Sequence, residues 1–108
     1  MIKAVLKTNG DGVYQGFEVS GHSGSNERGK DIICAAVSSI VQATLIGIEE
    51  VAGINDTYRI DDGYVKCDIP SDISEKQSLQ VQTLIATMHL GLKSIAMQYH
   101  NFVRIKED

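Results

Sequence analysis

The first twenty residues alternate between apolar and polar positions in a way that predicts two strands and a tight turn. Residues 2–7 alternate with a period of two, apart from Val5, and residues 13–20 form a second extended run. Between them, residues 9–12 read NGDG, which is a strong signal for a hairpin turn. We therefore expect the chain to open with a β-hairpin.

A long apolar pattern in the middle of the chain predicts the longest helix. The pattern begins after Asp31, a good N-cap residue, and Gly53 provides a stop signal at its end. The predicted helix covers residues 31–52. So few of its positions are polar that we expect burial on most sides, either as a central core helix or with one flank covered by a second subunit.

The rest of the chain predicts another hairpin, a second helix and a last strand. Residues 58–60 and 64–69 flank a turn signal, and Cys67 falls on the apolar face of the second run, which predicts a small core residue. Ser74 and Gln77 have the spacing of a capping box and predict a helix start. The apolar stripe of that helix comprises Leu84, Met88, Leu92, Ile95 and Tyr99.

Residues 102–106 predict a final strand, which completes the order β-β-α-β-β-α-β. Two hairpins and two helices in this order predict an α+β fold, with the helices packed on a mainly antiparallel sheet. The chain has 108 residues and no linker or repeat, so we expect a single domain over residues 1–108.

Composition and charge narrow the class of protein. The formal net charge is -4, which argues against direct binding of nucleic acid or of an anionic membrane. The N-terminus has no secretory segment, and no run approaches the roughly 18 apolar residues needed to span a bilayer. Two cysteines imply no disulfide framework. We therefore expect a cytoplasmic protein in which free thiols persist.

One histidine and one cysteine lie on either side of a glycine-rich loop. His22 ends the second predicted strand, and Cys34 falls in the first turn of the predicted helix, where the helix dipole favours the reactive thiolate. With a histidine in reach, this is the minimum set for cysteine nucleophilic catalysis. Ser38, one turn further on, could hydrogen-bond within the site or back to its own helix. Asp31 could orient His22 as well as cap the helix.

Other kinds of site are less well supported. Residues 24–31 (GSNERGKD) resemble a phosphate-binding loop, but Asp stands where Ser or Thr would hold magnesium, and the predicted hairpins do not make a parallel sheet. The histidines and cysteines lack the paired spacing of a zinc site, so we expect no metal and no other cofactor. The residues considered as ligands are His22, Cys34, Cys67, His89 and His100. His89 lies beside the apolar stripe and is expected to be a partly buried structural histidine.

Residues 19–24 (VSGHSG) and 29–38 (GKDIICAAVS) resemble the ribosomal-processing cysteine protease (Prp) family, and the similarity extends over the whole chain. The resemblance implies a catalytic dyad in which Cys34 is the nucleophile and His22 the general base. It implies a ribosomal protein precursor as substrate, namely large-subunit protein number twenty-seven, whose N-terminal extension is removed after a hydrophobic segment. It also implies a homodimer.

The resemblance further implies a mobile loop over the site, covering residues 23–30. Ser23 lies in this loop, and Gly21, Gly24 and Gly29 would make its opening and closing cheap in backbone strain. We expect the loop to order when substrate binds. The backbone N–H groups at the helix start, including that of Cys34, would meet the oxyanion.

Two other functions and the walls of the pocket remain open. A non-catalytic, ribosome-associated assembly module would use the same fold with Cys34 as a buried residue, and a redox-sensing thiol would need a resolving cysteine that the chain does not evidently have. Five residues are equally plausible as the wall of a hydrophobic pocket or as core. They are Tyr14, Phe17, Ile69, Met88 and Leu92.

Overall fold

The computed structural model of the chain describes residues 1–21 and 28–108, with the backbone alone for residues 28–31. Two helices, α1 and α2, pack on one face of a sheet of five strands. The strands are β1 (Ile2–Thr8), β2 (Tyr14–Ser20), β3 (Tyr58–Asp61), β4 (Tyr64–Asp68) and β5 (Val103–Glu107). The helices are α1 (Arg28–Ile46), which continues as a π-helical segment (Gly47–Val51), and α2 (Glu75–Gln98).

The sheet has the strand order β3-β4-β2-β1-β5. Three neighbouring pairs are antiparallel, and only β1 and β5 run parallel, because α2 carries the chain across the sheet before β5 begins. The predicted element order and the α+β fold are therefore confirmed.

The helix α1 begins three residues earlier than expected. Its first residue is Arg28, so Asp31 lies within the first turn and the prediction that Asp31 is the N-cap is wrong. An acidic residue is favoured throughout the first helical turn as well as at the N-cap, so the sequence signal fits both positions. Gly29 and Lys30 therefore belong to α1 rather than to a loop. Gly53, with a φ of 70°, confirms the predicted stop.

Within this chain the helix α1 is buried on one face only, so the expectation of a central core helix is wrong. Cover of its exposed flank by a second subunit stays a prediction. Val37, Val41 and Leu45 are in the core, whereas Ile32 and Ile46 are 66% and 60% exposed.

The stretch Ile32–Val51 is also long and apolar enough, by length and composition alone, to cross a membrane. The expectation that no run approaches that length is therefore wrong. Core helices of globular proteins share this composition, and part of this one is packed inside the domain.

The helix α2 begins at the capping box that the sequence predicts. The Ser74 hydroxyl accepts the Gln77 N–H at 3.1 Å, and the Gln77 side chain accepts the Ser74 N–H at 3.1 Å. Met88 and Leu92 are fully buried, as the predicted stripe requires, while Tyr99 ends the helix and is largely exposed. Leu84 and Ile95 are partly buried at the margin of the core.

Candidate active site

A cleft of about 300 Å³ lies between α1 and the strands β2 and β4. Its floor is apolar and comes from three neighbouring strands, with Ile2 of β1, Val19 of β2 and Val65 of β4. One wall is the side of α1 that carries Cys34, and the opposite wall is the hairpin that joins β3 to β4. The remaining lining residues are Gly21, Val37, Ser38, Val41, Gln42, Ile60, Asp61, Asp62, Gly63 and Tyr64.

Cys34 lies in this cleft as a partly buried residue of α1. It is the seventh residue of the helix, so the prediction of a place in the first turn is wrong. An α-helix leaves only its first four N–H groups without helical partners, and these lie about 4.5 to 9 Å along the axis from Cys34. The helix start therefore supplies neither the dipole effect at the thiol nor the Cys34 N–H as an oxyanion donor.

His22, Ser23 and Gly24 lie outside the residues that the structure describes. The structure does show how the chain approaches them. Gly21 follows β2 with a φ of 96°, and its N–H donates to the Gly63 carbonyl at 2.9 Å. A Cβ at this position would overlap the carbonyl oxygen of Met1, so only glycine fits. Gly21 lines the cleft, and His22 is the next residue in the chain.

Ser38 lies one helical turn beyond Cys34 and lines the same cleft. Its Oγ accepts a hydrogen bond from Gln42 Nε2 at 3.0 Å, and Gln42 is also a lining residue. The two side chains form a polar strip along an otherwise apolar wall of α1, where they can orient a polar group of a bound ligand. Of the two auxiliary residues that the sequence suggests, the structure thus places Ser38 in the cleft. Asp31 is described by its backbone alone.

None of the five residues considered for a hydrophobic pocket lines the cleft. Phe17, Met88 and Leu92 are fully buried in the core beneath the helices. The residues that sequence reasoning missed are those of the β3–β4 hairpin, Asp61 and Asp62 among them. The sequence signals only a turn at this hairpin, and a turn signal does not show which element the turn faces.

The second cysteine lies in the core, as predicted. Cys67 on β4 is completely buried, and burial raises the pKa of its thiol to about 11. A buried thiol that stays protonated at neutral pH is a weak nucleophile. Cys67 therefore contributes packing rather than chemistry.

The histidines that the structure describes lie outside the cleft. His89 is buried, and its Nδ1 shares a hydrogen bond of 2.8 Å with the Tyr14 hydroxyl. Its Nε2 is 3.1 Å from Glu107 Oε1, although the two atoms are not aligned for a hydrogen bond. Burial, and then Lys93, lowers the pKa of His89, against the opposing effect of Glu107, so a structural role is the best reading. His100 is exposed in the turn after α2.

Within residues 1–21 and 32–108, whose side chains the structure describes, no three side chains of the types that bind metals are clustered closely enough to hold an ion. Half of the phosphate-binding-loop pattern, residues 24–27, falls outside the described chain, and residues 28–31 are described by their backbone alone. The chemistry that the described cleft offers is therefore that of one cysteine thiol beside an apolar floor and a short polar strip.

An α+β domain with a single thiol in an apolar cleft fits a cysteine protease, and family comparison agrees. The chain belongs to the family of the cysteine protease Prp, whose family model matches residues 1–104. It is 28% identical over 107 residues to the ribosomal processing cysteine protease Prp of Bacillus subtilis, covering 97% of this chain and 96% of that relative.

Solved structures share the fold. SMU.848 from Streptococcus mutans superposes with a TM-score of 0.85 at 34% identity, over 99% of this chain and 93% of that one. The ribosomal processing protease Prp from S. aureus, in complex with a substrate peptide, superposes with a TM-score of 0.84 at 21% identity, over the full length of both chains. The same S. aureus protease has also been solved with a covalently linked product peptide.

Proposed function

We propose that this cysteine protease removes the N-terminal extension of large-subunit ribosomal protein number twenty-seven, using Cys34 as nucleophile and His22 as general base. The observation that carries the proposal is the place of Cys34 in the 300 Å³ cleft, while the other thiol is sealed in the core. The relative from Bacillus subtilis is named as a ribosomal processing protease, which supports this substrate.

The proposed reaction follows from cysteine chemistry. His22 takes the Cys34 proton, and the thiolate attacks the scissile carbonyl carbon to give a tetrahedral intermediate. His22 then protonates the leaving amine, and the C–N bond breaks to give a thioester. Water attacks the thioester carbonyl while His22 takes its proton, and return of that proton to sulfur regenerates the Cys34 thiol with release of the acid product.

The floor of the cleft supports a hydrophobic segment before the cut. Ile2, Val19 and Val65 present aliphatic surface to any side chain that enters next to Cys34. Burial of an aromatic or aliphatic side chain there contributes about 25 cal/mol for each square ångström removed from water. The apolar floor offers nothing to compensate a buried charge, so charged side chains at the same position are disfavoured.

The proposal also covers the class of partner, the oligomeric state and the location of the protease. A net charge of -4 fits a protein substrate better than direct contact with nucleic acid. A homodimer is supported by the apolar side chains that α1 leaves exposed, Ile32, Ile46 and Val51. The cytoplasm, where free thiols persist, is the proposed location. Closure of residues 23–27, the part of the expected loop that precedes α1, over the site on substrate binding remains part of the proposal.

The test uses a synthetic peptide that spans the extension junction of the host's own ribosomal protein, here called the junction peptide. Wild-type protein is expected to cut it once, whereas Cys34→Ala and His22→Ala should each lose at least about a thousandfold in rate. Cys67→Ala is the matched control and should retain most activity, because it removes a thiol of the core. Mass spectrometry of the products measures each rate.

Failure of the wild type to cut the junction peptide would contradict the substrate. Undiminished cutting by Cys34→Ala would contradict the nucleophile, and undiminished cutting by His22→Ala would contradict the base. If no protein cuts and Cys34 also resists alkylation, the non-catalytic assembly module becomes the better reading.

A further inference from the structure

The strand β3 is an edge of the sheet that lies next to the cleft. Among the strands of the described chain it pairs only with β4, so its other side presents unpaired backbone groups. Thr57 O accepts the Asp68 N–H at 2.8 Å, so this pair is hydrogen-bonded, and every second residue of β3 after Thr57 is hydrogen-bonded to β4 in the same way. Arg59 and Asp61 therefore direct their backbone groups toward β4, and Tyr58 and Ile60 direct theirs outward.

The side chains of the same two residues lie on the helix-facing side of the sheet. Tyr58 is opposite the core residue Cys67, and Ile60 is opposite Val65 of the cleft floor. Tyr58 is nevertheless 40% exposed and Ile60 51% exposed, although the Tyr58 hydroxyl donates a hydrogen bond of 3.3 Å to Glu49 Oε2 of the π-helical segment. The apolar face of the sheet thus continues outward from the cleft along β3, and Ile60 belongs to both.

The opposite edge of the sheet is built differently. The outer strand β5 is contacted by α2, and its Glu107 lies 3.1 Å from His89 and 3.6 Å from Lys93. Charged groups on an edge strand discourage the addition of another strand. Glu107 lies on the helix-facing side of β5, whereas the charged residues of β3, Arg59 and Asp61, lie on the opposite side of the sheet. The edge at β3 carries two exposed apolar side chains, Tyr58 and Ile60, in the same rows across the sheet as Glu107 and Ile105 of β5.

We propose that the substrate segment next to the scissile bond binds as an added strand on the open edge of β3, hydrogen-bonded to the backbone of Tyr58 and Ile60. The continuity of this edge with the cleft of Cys34 selects a peptide as the occupant. Main-chain hydrogen bonds then hold the peptide, and alternate side chains select it. Every second residue of the substrate lies beside Ile60 on the same side of the sheet as the cleft floor, and the residues between lie on the opposite side.

This inference rests on the proposed function for the identity of the peptide, but its test does not require cleavage. The probe is the junction peptide, added to the Cys34→Ala protein, and the readout is amide hydrogen exchange resolved by residue with NMR. The Tyr58 and Ile60 amides should exchange at least about tenfold more slowly with saturating peptide. The Arg59 and Asp61 amides already pair with β4 and are the internal control, so they should not change.

Three results would overturn the inference. The peptide could bind, as shown by shifts at Val37 and Ser38, without protecting Tyr58 and Ile60. The peptide could fail to bind at all. Protection could also appear without peptide and grow with protein concentration, which would mean that β3 pairs with a second copy of the chain.

A pair of variants tests the same point through kinetics. Ile60→Pro removes the outward N–H at a position where an edge strand tolerates proline, and we expect KM to rise about tenfold with kcat nearly unchanged. Ile60→Val keeps that N–H and shortens the side chain by one methylene, so KM should rise much less than in Ile60→Pro. Circular dichroism checks that both fold. If Ile60→Pro does not fold, junction peptides methylated at single backbone nitrogens replace it, and weakened cutting should recur at every second position.

The two proposals can fail separately. If the peptide protects the Tyr58 and Ile60 amides from exchange but the wild type does not cleave it, the added strand on β3 is supported and the proposed reaction is contradicted. The opposite outcome is that the wild type cleaves the peptide, KM is unchanged in Ile60→Pro, and the methylated peptides show no alternation. That outcome would support the protease and contradict the added strand.

Discussion

The two cysteines of this chain show how position alone gives one functional group two different environments. Cys34 lies on the flank of α1 and forms part of the wall of an open cleft. Cys67 lies in the middle of the sheet, opposite Phe17 on one neighbouring strand and Tyr58 on the other, with no exposed surface. Burial raises the pKa of the Cys67 thiol to about 11, so that sulfur stays protonated and packed. Reactivity therefore follows from the boundary between elements, where a side chain can meet a ligand.

Alkylation should separate the two thiols most strongly. With iodoacetamide at pH 8, we expect Cys34 to react at least about a hundredfold faster than Cys67, because Cys67 becomes accessible only when the sheet opens. Peptide mass mapping of the native protein over time gives both rates. The Cys34→Ala variant isolates the alkylation rate of Cys67, and in urea the two thiols should react at similar rates. Equal rates in the native protein would contradict the comparison.

The stability of the fold at high pH should report the burial of Cys67. Above about pH 9 the thiol ionises in the unfolded chain, while in the native protein it holds its proton to about pH 11. The unfolded state then binds fewer protons than the native state, so the free energy of unfolding falls as pH rises through this window. The loss should be on the order of 2 kcal/mol at pH 11.

The matched variant for this measurement is Cys67→Ala. Urea unfolding at pH 8, 9, 10 and 11 should show a shallower decline for Cys67→Ala than for the wild type, since tyrosines and lysines titrate in both proteins. Parallel curves would mean that the Cys67 thiol ionises in the native state as readily as in the unfolded chain.

The smallest expected effect is at the residue beside Cys67. Thr57 is buried, and its hydroxyl partly opposes the rise in the pKa of Cys67, yet its Oγ1 forms no hydrogen bond of ordinary geometry with the described residues. Thr57→Val keeps the shape and removes that hydroxyl, so we expect the free energy of unfolding to rise by up to about 1 kcal/mol at pH 7. Thermal unfolding measures it. A clear loss of stability would show that the hydroxyl has a partner in solution.

The parts of the fold that could be predicted are those with local signals. The capping box of Ser74 and Gln77, the stop at Gly53 and the alternating strands all depend on residues a few positions apart, and the structure confirms them. Cys67 was predictable as core because strand alternation places it on the same side as Val65. The start of α1 was misplaced because acidic residues favour several positions in a first turn.

The walls of the cleft could not be predicted, because they depend on which strands become neighbours. Asp61, Asp62 and Tyr64 meet α1 only because β4 pairs with β2. Nothing near these residues in the sequence specifies that pairing. The sequence left two covers open for the flank of α1, the core or a second subunit, since apolar composition shows that a helix avoids water without showing what covers it. The roles of His22, Asp31 and Ser38 remain predictions.

The parallel pairing of β5 with β1 has a consequence for how the protein is made. It joins Ile2 to Val103, whereas β1 meets β2 across a short turn. Closing so long a loop costs more chain entropy than closing a hairpin, and contacts between distant segments are gained late in folding. Until residues 103–107 arrive, β1 is itself an edge strand, open to pairing with another chain. During synthesis, β1 is therefore most exposed to aggregation and to chaperones until β5 has been made and pairs with it.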